Sequence, residues 1–66
     1  MQIHLNGERQ SLNNIATVAD LVAHLDLDRR KVAVERNLEI VPRSLFDATP
    51  IENGDRIEIV TFIGGG

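Results

Sequence analysis

A single helical stripe lies between stretches of strand periodicity, and it limits the possible architecture more than any other feature of the chain. Val18, Leu21, Val22 and Leu25 fall at i, i+3, i+4 and i+7, which sets them along one face of an α-helix. Thr17 precedes them as a natural N-cap, and Asp20, three places on, is a weaker version of the usual capping-box glutamate. A helix this short draws its stability from packing rather than from propensity. Ahead of it, Met1-Gln2-Ile3-His4-Leu5 alternates apolar and polar, and Asn6-Gly7 is a strong hairpin signal because both turn positions need positive φ. Residues 8–12 then form the returning strand. After the helix, residues 31–35 predict a third strand with Val32 and Val34 on one face, and Arg36-Asn37 a turn. Residues 38–41 predict a short fourth strand stopped by Pro42, Asn53-Gly54-Asp55 a further turn, and residues 56–62 the last strand.

With 66 residues there is room for one domain and one small core. A lone helix can cover only one face of a sheet, and a helical connection lets a later strand run parallel to an earlier one. The order hairpin, helix, strands therefore predicts an α+β fold, a mixed sheet with one main helix packed across one face. The expected core is Ile3, Leu5, Val18, Leu21, Val22, Leu25, Val32, Val34, Ile57 and Ile59. In the irregular stretch 43–52, Leu45, Phe46 and Ile51 are expected to tuck under the sheet edge.

Several classes of function are disfavoured by composition. The chain has no cysteine, so disulfides and thiolate metal sites are unavailable. A net charge of −3, two Phe and no Trp or Tyr make a poor surface for nucleic acid. Arg29-Arg30-Lys31 is the only basic cluster and reads as a solvated loop. No long apolar run and no basic leader ahead of an apolar core are present, which predicts a cytoplasmic chain with no membrane association. His4 reads as an exposed strand residue and His24 as a helix-surface residue near the C-terminal end, where positive charge is favourable. Neither has the spacing of a metal ligand or a catalytic base. Asp26 with Asp28 and Glu35 with Glu39 lack an apolar pocket to shift their pKa values, and Ser11 and Ser44 lack a base. No catalytic residue and no metal site are expected.

The informative stretch is Ile63-Gly64-Gly65-Gly66. Three glycines pack nothing and cost entropy to order, yet they give a thin segment that fits a narrow channel. The sequence thus divides into a domain over 1–62 and a flexible glycine tail over 63–66. If Ile57 and Ile59 face the helix, Glu58, Val60 and Phe62 point to the opposite face, and Ala33 has the matching parity on the third strand. These four form a candidate docking patch beside the tail. A terminal carboxylate at Gly66 is a poor electrophile until a partner enzyme converts it with ATP to an acyl adenylate. A sulfur nucleophile can then displace AMP and leave a thiocarboxylate, with Ile63, Gly64 and Gly65 threading into the partner's active site. The sequence permits this chemistry. It equally fits a non-catalytic interaction module with an inert tail, or a protein modifier joined to lysines.

Val32-Ala33-Val34-Glu35-Arg36-Asn37, Ile40-Val41-Pro42-Arg43, and Gly54-Asp55-Arg56-Ile57-Glu58-Ile59-Val60 leading into Phe62-Ile63-Gly64-Gly65-Gly66 together resemble the ThiS family. These are the sulfur carriers of thiamine biosynthesis, with a ubiquitin-like β-grasp fold. The resemblance covers essentially the whole chain. It implies that the first and last strands lie side by side and parallel. It also implies that an E1-like (ThiF-like) enzyme adenylates Gly66 using ATP and Mg²⁺, neither being bound by the carrier itself. A sulfur-donating enzyme drawing on cysteine desulfurase chemistry then supplies sulfur, and a ThiG-like thiazole synthase takes it. The carrier is a co-substrate rather than an enzyme. Gly65 matches the family's penultimate glycine, whereas Gly64 has a less strict counterpart. The small subunit of molybdopterin synthase shares fold and tail chemistry with a different acceptor; the shorter chain and Val41-Pro42-Arg43 favour the thiamine role.

Overall fold

Asn6 and Gly7 adopt φ of 50° and 83°, the left-handed pair a two-residue hairpin requires. Strand β1 (Gln2–Leu5) accordingly folds straight back as β2 (Glu8–Ser11), with Leu5 opposite Glu8. These and the following elements come from a computed structural model, which describes residues 1–62. Helix α1 spans Val18–His24. The Thr17 hydroxyl accepts from the Asp20 N–H at 3.2 Å, and the Asp20 carboxylate accepts from the Thr17 N–H at 3.1 Å and the Ala16 N–H at 2.9 Å. Both halves of the capping box are therefore made, and the Ala16 and Thr17 N–H groups lower the pKa of Asp20.

The next two helix N–H groups are satisfied from the irregular stretch. Val18 donates to the Thr49 carbonyl and Ala19 to the Phe46 carbonyl, each at 2.9 Å, while Ile51 donates back to the Ala16 carbonyl at 2.9 Å. Residues 43–52 thus wrap the start of the helix. That wrapping carries Phe46 and Ile51 into the core, but Leu45, on a 3₁₀ turn over Arg43–Leu45, stays 48% exposed instead of tucking under the sheet. Arg29-Arg30-Lys31 forms a 3₁₀ turn rather than an irregular loop, with Arg30 and Lys31 exposed to solvent as expected. Arg29 donates to Asp47 at 2.9 Å and lies 5.5 Å above the Phe46 ring, so it clamps the wrapping stretch from outside. Arg30 grips Asp28 and pulls its carboxyl down to about 2.

Strands β3 (Val32–Arg36), β4 (Glu39–Val41) and β5 (Arg56–Thr61) complete one five-stranded sheet in the order β2-β1-β5-β3-β4. The first and last strands pair in parallel, His4 with Arg56 and Leu5 with Ile57, and every other pairing is antiparallel. The last strand is therefore the middle of the sheet, and α1 covers one face. Leu38 is not the first residue of β4: it shares the turn with Asn37, at φ of 72° and 51°. A two-residue connection from Arg36 to Glu39 forces both central residues into the left-handed region, even though leucine is disfavoured there.

Eight of the ten expected core residues are buried; Leu5 and Leu25 are only partly buried against the cluster. Leu25 is the residue that caps the helix, and Leu5 precedes the hairpin turn, so both sit at element ends. Leu12, Val41, Phe46 and Ile51 complete the core.

The open sheet face and the end of β5

β5 is gripped at its start, along both edges, and beyond its last residue. At its start Asp55, 7% exposed, accepts hydrogen bonds from Arg36 Nε at 2.7 Å, the Glu52 N–H at 2.8 Å and Asn37 Nδ2 at 3.1 Å. Burial pushes the Asp55 pKa up, but these three donors outweigh it, and the carboxyl sits below its ordinary value. The Arg36 guanidinium is correspondingly raised, first by its bond to Asp55. Asn37 adds a bond from the Arg56 N–H to its own Oδ1 at 2.9 Å.

On the β1 side the backbone ladder ends where the hairpin turns away. The Asn6 N–H still donates to the Ile57 carbonyl at 2.9 Å. The Asn6 side chain then continues the ladder: Nδ2 donates to the Ile59 carbonyl at 3.2 Å, and the Ile59 N–H donates to Oδ1 at 2.8 Å. An amide has the same donor and acceptor as a peptide unit, so Asn6 serves as one more residue of β1. On the β3 side the ladder reaches further, with the Phe62 N–H on the Lys31 carbonyl at 2.8 Å. The strand is held in register up to the residue that precedes the tail.

Ile57 and Ile59 face the core, and Val60 and Phe62 are 59% and 50% exposed, as alternation predicts. On the open face Ala33 lies opposite Val60, and Glu58 opposite Glu35. The structure therefore brings Ala33, Glu58 and Val60 together, with Phe62 following on the same strand. It adds two residues that sequence reading left out. Ile40, 76% exposed, sits opposite Glu35 on the edge strand β4, and both join Ala33, Glu58 and Val60 around a shallow hollow of about 100 Å³. The available signal was parity, since a buried Val41 beside Pro42 turns Ile40 to the other face. Ile63, Gly64, Gly65 and Gly66 lie outside the described residues.

His4 is exposed on β1 and His24 is exposed in the last turn of α1. Among the described residues no group of three or more histidine or carboxylate side chains is placed to hold a metal ion, and no helix is long and apolar enough to cross a membrane. What the described residues supply is an apolar, partly acidic face contiguous with the strand that leads to the tail.

A mixed five-stranded sheet with parallel outer-sequence strands at its centre and one helix across it defines a ubiquitin-like β-grasp domain. The ThiS family pattern matches residues 3–66, and the chain belongs to the ThiS family. It is 37% identical over 65 residues to the sulfur carrier protein ThiS of Bacillus subtilis, covering 97% of this chain and 98% of that protein. The crystal structure of the thiamine biosynthesis protein ThiS from Geobacter metallireducens superposes with a TM-score of 0.84 at 33% identity, with both chains covered completely. The thiazole synthase of Paramagnetospirillum magneticum is 50% identical over all 66 residues. The chain spans 20% of the length of that protein, and the same share of a second thiazole synthase it matches.

Proposed function

We propose that this chain is a sulfur carrier for thiamine biosynthesis, acting in the cytoplasm as a co-substrate in formation of the thiazole ring. The observation that carries this reading is the end-to-end match to the Bacillus subtilis sulfur carrier, which runs through the strand leading to the glycine tail. In this reading the Gly66 carboxylate attacks the α-phosphorus of Mg·ATP on an E1-like adenylating enzyme, releasing pyrophosphate and giving an acyl adenylate. A hydrosulfide-level sulfur nucleophile from a sulfur-donating enzyme then attacks the acyl carbon. AMP leaves with the bonding pair of the acyl C–O bond, and the thiocarboxylate remains. The thiazole synthase is the acceptor, a role supported by relatives of that name that include a domain like this one.

The chain's own contribution is mechanical. β5 is fixed at both ends by Asp55 and by the Phe62–Lys31 bond, so a partner docked on Ala33, Glu58, Val60 and Phe62 receives the tail from a defined direction. Gly64 and Gly65 have no side chain to obstruct a narrow channel. Incubation with the adenylating enzyme, Mg·ATP and a sulfide source should raise the intact mass by the difference between sulfur and oxygen. Deleting Gly66 should abolish that gain while leaving the fold intact. An unchanged mass with an enzyme active on its own carrier would refute the proposal.

A further inference from the structure

Glu35 and Glu58 face each other directly across β3 and β5. The flanking bonds from Asn37 N–H to the Arg56 carbonyl and from Phe62 N–H to the Lys31 carbonyl fix the alternation of this ladder. They make Glu35–Glu58 a hydrogen-bonded pair, with Cα atoms about 5.5 Å apart. Like charges placed so destabilise a sheet. Both residues are only half-exposed, with Ala33, Ile40 and Val60 beside them around the same hollow. Among the described residues Glu35 has no cation within ion-pair distance. Glu58 reaches only Arg56, at 3.7 Å and on the surface. Two facing carboxylates beside apolar side chains are only partly balanced among the described residues, by one exposed contact from Arg56 to Glu58 and none to Glu35, which leaves room for a further counter-charge.

We infer that the hollow between Glu35 and Glu58 receives a cationic side chain, an arginine, from the protein partner that docks on this face. The inference rests on the carrier reading, and the partner concerned is the thiazole synthase. The hollow, at about 100 Å³, is far below the roughly 300–1,000 Å³ of a small-molecule site but admits the end of one side chain. Arginine fits best because its planar fork bonds two carboxylates at once, while its weakly hydrated edges rest on Ala33, Ile40 and Val60. The seat, at Glu58, lies four residues before Phe62 on the same strand, so filling it fixes the partner against the strand that delivers the tail. It also provides recognition by charge: a partner with an acidic residue at that point meets two carboxylates and is rejected.

The test compares wild type with the Glu35→Gln, Glu58→Gln double variant, which keeps shape and removes charge. Binding to the thiazole synthase of the same organism is measured by calorimetry at low and high salt, and each free protein is melted. The double variant should melt higher than wild type yet bind at least tenfold more weakly, equivalent to about 1.4 kcal/mol. The salt dependence seen with wild type should be largely lost. Substituting the partner's arginine by leucine should weaken wild type and leave the double variant unaffected. Equal binding of the two carriers to a synthase that wild type does bind would overturn this inference alone. No binding by wild type would overturn the carrier reading and this inference with it. A wild-type homodimer that the double variant fails to form would overturn it too. In that case the occupant would be a second copy, whose Arg9 and Arg56 lie in one row with His4 on the same face.

Discussion

Replacing Asp55 by alanine removes the acceptor of three hydrogen bonds at once, those from Arg36, Asn37 and the Glu52 N–H. Breaking a buried ion pair from one side costs ~3–5 kcal/mol, because the remaining charge is left without a partner. Arg36 is 25% exposed and keeps a second carboxylate, Glu52, at 3.6 Å, so the low end of the range applies, about 3 kcal/mol. Proteins carry roughly 0.05–0.15 kcal/mol of stability per residue. For a domain of this size that is only a few kcal/mol, and the loss consumes a third or more of it. At ~4–8 °C per kcal/mol for small domains, the midpoint of thermal unfolding should fall by about 12–24 °C. The effect also has a pH signature. A carboxyl whose pKa is depressed on folding contributes its full stability above its unfolded value, and loses that contribution as pH falls through the folded one. The gap between wild type and Asp55→Ala should therefore be full at pH 7 and narrow below about pH 4. Far-UV circular dichroism melts of both proteins across that range measure it directly. Midpoints that coincide at pH 7, or a gap unchanged in acid, would refute the placement of Asp55 as the charged anchor of β5.

Asn6→Ala should cost ~2–3 kcal/mol in denaturant titrations, since it removes two hydrogen bonds to Ile59 and puts alanine at φ of 50°. Leu38→Asn should raise stability by ~0.5–1 kcal/mol in the same assay, because leucine at φ of 72° and 72% exposure has strain to lose and little packing. Phe62→Ala should change stability by less than ~0.5 kcal/mol while weakening thiazole synthase binding in a pull-down or titration; a large drop in melting temperature would show that the side chain belongs to the core.

The fold was readable wherever local rules and burial agree. Asn6-Gly7 declared its turn, Thr17 and Asp20 declared the helix start, and the alternation of β5 separated Ile57 and Ile59 from Val60 and Phe62. What sequence alone did not disclose depends on contacts between distant segments. Asp55 looks like an ordinary turn residue until Arg36 and Asn37, 19 and 18 positions away, arrive beside it. Asn6 signals a hairpin, but nothing local reveals that its amide also extends a parallel ladder to Ile59. The burial of Phe46 was expected, but not the closure of residues 43–52 over the helix start that produces it, with Arg29 pinned to its outside. The candidate site was legible as strand parity beside a glycine tail. Glu35 and Ile40 share the parity of that face, but their place beside Glu58 and Val60 is set by the register of β3 and β4.

The bond between Phe62 and Lys31 has a further consequence, one of depth. It is the last described point at which the chain is tied to the sheet, and Gly66 is the fourth residue after Phe62. An extended residue advances at most ~3.3–3.6 Å, so Gly66 reaches no more than about 14 Å past that tie. On the proposed function, an enzyme acting on Gly66 must bring its reacting centre to within that distance of the surface on which Phe62 rests, and one whose chemistry lies deeper is out of reach however well it binds.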